Sequence, residues 1–250
     1  MIAAKSRERE LDLSGFGRSG DGYLIAPGGA PEIPGSVGQQ AMQSSLLPQI
    51  YERAWRPVLF AGFAGGRLGA TAPDQIAAGL ELDPDALALD VACGPGNTTR
   101  PLLAHIGEAG RVVGLDAAPA MLARAVRDTD DPRASYVLGD AGALPFASAT
   151  FDAVTCLGGL YLMDEPHRVL AELVRVLAPG GRLAILTSAV RGPVPARPLL
   201  ARMNLLTGVR LFDQDEVADR LRLLGMQRVR RHLQGFFQLV TATAPEAGRG

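Results

Sequence analysis

The stretch LALDVACGPGNTTRPL (87–102) decides the reading of this chain. Its first five residues form a continuous apolar run broken only by Asp90, as a strand buried on both faces would be. The turn that follows, Cys93-Gly94-Pro95-Gly96, lets bare backbone approach a ligand closely before a helix begins. Asp116 closes the next apolar run, RVVGLD (111–116), 20 residues beyond Gly96. An acid there can accept two hydrogen bonds from vicinal ribose hydroxyls. The pattern is not that of a pyrophosphate site. The dinucleotide fingerprint wants a third Gly where Thr99 stands, and the phosphate-loop pattern with its lysine is absent.

Strand and helix patterns alternate on both sides of this unit. Thr98 to Ile106 reads as a helix, RVVGLD as the second strand, and Ala120 to Arg127 as a second helix. SYVLGD (135–140) and FDAVTCLGG (151–159) follow as the third and fourth strands. Asp164 is positioned to cap a helix whose Val169, Leu170, Leu173, Val176 and Leu177 share one face, and APGG (178–181) ends it. LAILTSA (183–189) is the fifth strand. A D-x-x-E capping box, Asp213 to Glu216, opens a further helix that stops at Gly225. MQRVRRHLQG and FFQLVTATA form an antiparallel pair at the end. The expected architecture is α/β: a Rossmann-like, doubly wound, mostly parallel sheet of seven strands with an antiparallel last strand. Ligands should gather at the carboxyl ends of its strands.

Ahead of this core (81–250) lie two other regions. Residues 14–38 hold eight Gly and three Pro without periodicity, so 1–39 reads as an irregular arm. From Met42 to Leu59 apolar residues recur near helical spacing, and Pro73 to Leu80 reads as a short helix, so 40–80 is expected to be a helical cap or lid.

Composition bounds the function. The 250 residues carry 25 basic and 26 acidic groups, for a net charge of −1, which leaves no cationic excess for counterion displacement on nucleic acid. All basic residues but Lys5 are arginine, a bias that fits coding from a GC-rich genome. Two cysteines, Cys93 and Cys156, lack disulfide-framework or zinc spacing. No signal-peptide core and no run of 18 apolar residues occur, so a soluble cytoplasmic protein without a membrane span is expected, with a homodimer left open.

The segments DVACGPGNTT, VVGLDAAPAMLARA, VLGDAGALPFASATFDAVTC and RVLAPGGRLAIL, in this order, resemble the successive motifs of class I S-adenosylmethionine-dependent methyltransferases. Within that family they are most similar to the small-molecule branch that includes the quinone methylases. The resemblance implies that Asp90, Cys93, Gly94 and Gly96 line the methionine end of S-adenosylmethionine. It implies that Asp116 takes the ribose hydroxyls, that Ala117 and Met121 flank the adenine, that Asp140 and Ala141 meet its edge, and that Leu157 lies near the sulfonium. Ala92 stands where the family most often has Gly, a methyl group that should be tolerated. A phosphate-free cofactor with one sulfonium and a zwitterionic tail suits acids and bare backbone better than a cationic clamp.

Candidate catalytic residues are fewer. Tyr161, just past the fourth strand in CLGGLYLMDEP, either faces substrate or packs beneath a lid. His167 lies in the first turn of the following helix, where a solvated face competes with catalysis, while His105 and His232 read as surface residues. Tyr51 and Trp55 share a helical face and serve either as a lid aromatic over the cofactor or as cap packing. Asp213, Asp215 and Glu216 suit helix capping better than a metal, and Arg220, Arg222, Arg228, Arg230 and Arg231 suit a solvated surface better than anion steering. No metal is expected.

The expected function is methyl transfer to a small, largely apolar organic molecule, in bacterial specialised metabolism. The Leu-, Met- and Pro-rich segment 190–212 would form part of the pocket wall. The loop LGGLYLMDEP lacks the charged and amide residues typical of quinone methylases. The alternative is a protein of the same fold that catalyses a non-methylating cyclisation or isomerisation. A nicotinamide oxidoreductase is disfavoured by Thr99 and the GDA motif at 139–141, and a nucleic-acid methylase by charge.

Overall fold

A computed structural model describes residues 11–29, 72–190 and 210–247. Nine strands form one sheet: β1 (Gly17–Arg18), β2 (Leu24–Ile25), β3 (Leu87–Val91), β4 (Arg111–Asp116), β5 (Ala134–Leu138), β6 (Phe151–Leu157), β7 (Leu177–Ser188), β8 (Gln227–Gln234) and β9 (Phe237–Thr243). Their order is β1-β2-β5-β4-β3-β6-β7-β9-β8. The five central strands run parallel, while β9 inserts antiparallel between β7 and β8. The doubly wound α/β sheet and its antiparallel closing strand are as expected.

Alternation along β3 explains its double burial. Leu87, Leu89 and Val91 enter the larger core, and Ala88 enters a second core on the opposite face. The larger core is covered by α4 (Pro166–Val176) and α5 (Glu216–Leu223). Val169, Leu170, Leu173 and Val176 of α4 are all buried, each such side chain contributing roughly 1.5–3 kcal/mol. The second core is covered by α1 (Ala72–Gly79) and α2 (Thr99–Leu103), through Ile76, Ala77, Leu102 and Leu103. Helix α3 (Pro119–Asp128) packs Leu122 and Ala125 with Tyr23, Cys93 and Tyr136.

Several expectations are corrected. Among the described residues the sheet has nine strands rather than seven, because part of the irregular arm belongs to it. Leu24 and Ile25 pair in parallel with Val137 and Leu138, and Gly17–Arg18 pairs back on β2. The Ser19 hydroxyl accepts from the Tyr23 amide, Gly22 adopts φ +90°, and Tyr23 and Ala26 are buried. Phe16 stacks on Phe146 at 6.1 Å. Two-residue strands have no readable period, so only pairing defines them, β2 on the edge of β5 and β1 on β2.

The helix boundaries shift as well. Asp164 does not cap α4: Glu165 occupies that position without a side-chain cap bond, and Pro166 begins the helix. Helix α5 starts at Glu216 rather than Asp213, although the Glu216 carboxylate reaches back to the Asp213 amide at 3.3 Å. Helix α2 ends at Leu103, short of Ile106, and β7 already begins at Leu177, taking in APGG. Most of the expected cap, including Tyr51 and Trp55, and most of the segment 190–212 lie outside the described residues.

Candidate functional site

Four neighbouring strands, β5-β4-β3-β6, bring their carboxyl ends to one edge. Asp116 and Leu157 end β4 and β6 there, and the loop 92–98 and Asp140 lie just beyond β3 and β5. Three successive alternate residues of that loop, Ala92, Gly94 and Gly96, have positive φ of 58°, 54° and 80°. The left-handed conformation at Ala92 explains why glycine is favoured there, and the methyl group carries a strain of about 1 kcal/mol. A Cβ at Gly94 would meet nothing within 4 Å. This is therefore backbone open to a ligand.

The loop is held from below by Asp90. Its carboxylate is fully buried and accepts three hydroxyl donors: Thr98 at 2.5 Å and Thr99 at 2.8 Å on Oδ2, and Thr155 at 2.8 Å on Oδ1. Thr155 lies opposite Asp90 in the β3–β6 register. Burial pushes the Asp90 pKa up to about 6, against the lowering effect of the three hydroxyls. Enclosed in this way, Asp90 fastens the loop to β6 instead of lining an open surface. Sequence reasoning missed Thr155, whose only signal was one hydroxyl in the apolar run FDAVTCL.

Asp116 holds the loop from the side. Its Oδ2 accepts from the Gly94 amide at 2.8 Å and its Oδ1 from the Ala118 amide at 2.9 Å. Desolvation raises its pKa, and the amides of Ala118, Gly94 and Ala117 oppose that rise. The carboxylate is half-buried, and the three amides do not exhaust its roughly four lone-pair sites. Asp140, also half-buried, accepts from the Gly142 amide at 2.7 Å in a turn that places Ala141 beside it. Met121 and Cys93 are buried, whereas Ala117, Ala141 and Leu157 are half-buried. Burial pushes both thiols up, Cys156 to about 12, so Cys93 and Cys156 are neutral packing residues.

Tyr161 sits in a single 3₁₀ turn (Leu160–Leu162) after β6 and is 7% exposed, with its ring in the larger core. A Cβ on Gly158 would lie 3.7 Å from its hydroxyl, which places that hydroxyl at the carboxyl end of β6. Its carbonyl accepts from the Arg210 amide at 2.8 Å. Arg210 pairs through its guanidinium with Glu216 at 2.7 Å, and His167 Nε2 lies 3.1 Å from the same carboxylate oxygen. Sequence reasoning did not find Arg210, whose amide meets the Tyr161 carbonyl only once segments far apart in the chain are brought together. His105 and His232 are exposed.

Of the remaining charged candidates Asp213, Asp215, Arg222, Arg228 and Arg230 are exposed, and Arg220 and Arg231 are half-buried. Asp215 pairs with Arg231, and Arg222 with Asp219 at 2.6 Å. Among the described residues no group of three or more potential metal ligands occurs, and no helix is long and apolar enough to cross a membrane.

Residues 88–181 match the family model described as a methyltransferase domain. A 2-phytyl-1,4-naphtoquinone methyltransferase of Thermosynechococcus vestitus is 47% identical over 108 residues, which are 43% of this chain and 48% of that protein. A demethylmenaquinone methyltransferase of Renibacterium salmoninarum is 43% identical over 103 residues, 41% of each protein. The chain thus spans about half the length of the curated relatives it matches, or less. Among solved structures, the [4+2]-cyclase SpnF superposes with a TM-score of 0.67 at 20% identity, covering 88% of this chain and 99% of that one.

Proposed function

We propose, from the match of residues 88–181 to a methyltransferase-domain model, that this protein transfers a methyl group from S-adenosylmethionine to a small, largely apolar organic acceptor. The observation that carries this reading is the joining of Asp116 to bare Gly94 backbone at the mouth of the sheet. The residues fit the cofactor. Asp116 offers its carboxylate to a vicinal diol, Gly94 leaves room for close approach, and the sequence has no phosphate-binding loop with its lysine. When bound, the cofactor supplies a methyl group on an electrophilic sulfonium.

Asp116 would hold the ribose hydroxyls, with Ala117 and Met121 beside the adenine and Asp140 and Ala141 at its edge. Cys93, Gly94 and Gly96 would shape the methionine end, with Asp90 fixing them from beneath, and Leu157 would line the approach to the methyl group. Tyr51 belongs to the same reading as a lid aromatic. Alignment and exclusion of water would supply most of the acceleration. Tyr161 is assigned to face the acceptor through its hydroxyl. His167, with Nε2 against Glu216, is assigned no proton transfer.

The relatives carry quinone substrates in their names, which supports a quinone-like acceptor among the small apolar molecules considered. Specialised metabolism remains part of the proposal on the composition bias alone. A non-methylating reaction is the second reading, because a solved chain of this fold is a cyclase. Production of S-adenosylhomocysteine with an accepted substrate separates the two.

Two outcomes test the site. Asp116→Ala is expected to weaken S-adenosylhomocysteine binding by about 1.5–3 kcal/mol, roughly ten- to a hundredfold, in calorimetry. Wild type that does not bind, or a mutant that binds equally well, removes the cofactor assignment. Tyr161→Phe is expected to lower the rate of methyl transfer by about tenfold or more with cofactor affinity unchanged. An unaltered rate would take the hydroxyl out of the reaction.

A further inference from the structure

The loop above Asp90 has a second support that the proposed chemistry does not use. Arg100, in the first turn of α2, folds back beneath the loop. Its Nη1 donates to the Pro95 carbonyl at 3.0 Å and its Nη2 to the Asn97 side-chain oxygen at 2.6 Å. Tyr136, buried in β5, shares a hydrogen bond of 2.8 Å between its hydroxyl and that of Thr129. Arg100 Nη1 also reaches the Thr129 hydroxyl at 3.4 Å, closing the set.

Two glycines are cleared around this one phenol. A Cβ on Gly96 would lie 2.5 Å from the Tyr136 hydroxyl and 3.0 Å from Arg100 Nη1. A Cβ on Gly114 would lie 2.8 Å from the Tyr136 ring. The backbone of Gly96 therefore rests directly on both side chains. A segment with three positive φ values has wide conformational freedom unless it is held, and ordering it at the moment of binding would cost affinity.

We infer that Arg100 and Tyr136, joined through Thr129, are positioning residues that pre-form the loop 93–97 for the cofactor. Neither is a catalytic residue. They act through Pro95, Gly96 and Asn97. The functional part of this inference rests on the cofactor reading above, whereas the structural part does not.

The test uses the full chain with Arg100→Met and Tyr136→Phe, the latter keeping the ring that fills the space beside Gly114. Calorimetry with S-adenosylhomocysteine is expected to show binding about tenfold weaker for Arg100→Met and several-fold weaker for Tyr136→Phe. Arg100→Lys should recover part of the loss by restoring one donor. With an accepted substrate, KM for S-adenosylmethionine should rise while kcat changes less than twofold. In ligand-free protein, hydrogen exchange of the Gly94 and Gly96 amides should accelerate about tenfold in both variants. Wild-type affinity and unchanged exchange in the variants would overturn the inference. Wild type that fails to bind would overturn the cofactor reading instead, and the exchange measurement would still decide whether the two residues hold the loop.

Discussion

Replacing Asp90 with alanine is expected to destabilise the protein by about 4 kcal/mol, measured by urea unfolding. The mutation leaves the hydroxyls of Thr98, Thr99 and Thr155 without their acceptor at positions no more than 8% exposed. Each buried polar group left unsatisfied costs roughly 1–3 kcal/mol, and the vacated space adds a cavity cost. Because Thr98 and Thr99 begin α2 and Thr155 lies on β6, the loop loses its attachment to both. Cofactor affinity should fall with stability. A loss below about 1 kcal/mol would show that the hydroxyls find other partners and that Asp90 is not the fastening point.

The same residue sets a pH dependence with a definite sign. Desolvation raises the folded pKa of Asp90 from the ordinary 3.8 to about 6. The folded state therefore binds this proton more tightly than the unfolded chain does. The associated stability is fully present below the unfolded value of 3.8 and is lost as pH rises through about 6, with a span on the order of 3 kcal/mol. Glu172, whose carboxylate Arg175 holds below its usual range, works in the opposite direction and loses its contribution as pH falls. Comparing wild type with Asp90→Asn cancels such other groups. The wild type should lose stability relative to Asp90→Asn between pH 4 and 7, and a difference that stays flat would contradict the buried carboxylate.

A second large effect is expected at Gly159. Its backbone, at φ −104°, permits any residue, yet a Cβ built there would overlap the Cβ of Ala92. Gly159→Ala should thus force the loops after β3 and β6 apart, at a cost of about 3 kcal/mol. It should also weaken cofactor binding, because Ala92 begins the loop that carries Gly94. Ala92→Gly alone should be nearly neutral. Relief of left-handed strain of about 1 kcal/mol is offset by the greater freedom of glycine in the unfolded chain. The double variant should recover most of the Gly159→Ala loss, a coupling of at least about 1 kcal/mol in a thermodynamic cycle. Additive effects would mean that the two residues do not meet.

The position of Ala92 shows where reading a sequence stops. The ordered motifs mark it as a substitution for glycine, a methyl group that should be tolerated. The structure gives it φ +58° and sets Gly159 against it, so the tolerance depends on a glycine 67 positions away. Asp90 is a similar case. Its place at the end of a buried strand was legible, but the three hydroxyls that enclose it come from two separate elements. Tyr136 and Arg100 carried no local signal, since a tyrosine in a strand and an arginine in a helix are ordinary at those places.

The sequence by itself determined the α/β class, the order of strands and helices from Leu87 onward, and the match of residues 88–181 to a methyltransferase-domain model. These depend on local periodicity, turn residues and motif order, which survive in one dimension. Only the tertiary structure decided that Gly17–Arg18 and Leu24–Ile25 extend the sheet, that Glu165 rather than Asp164 precedes α4, and that Asp90 faces three threonines. A two-residue strand exists only by pairing with its neighbour, and a buried carboxylate is satisfied only by whatever folds around it. Both are properties of contacts between distant segments, and no window of sequence contains them.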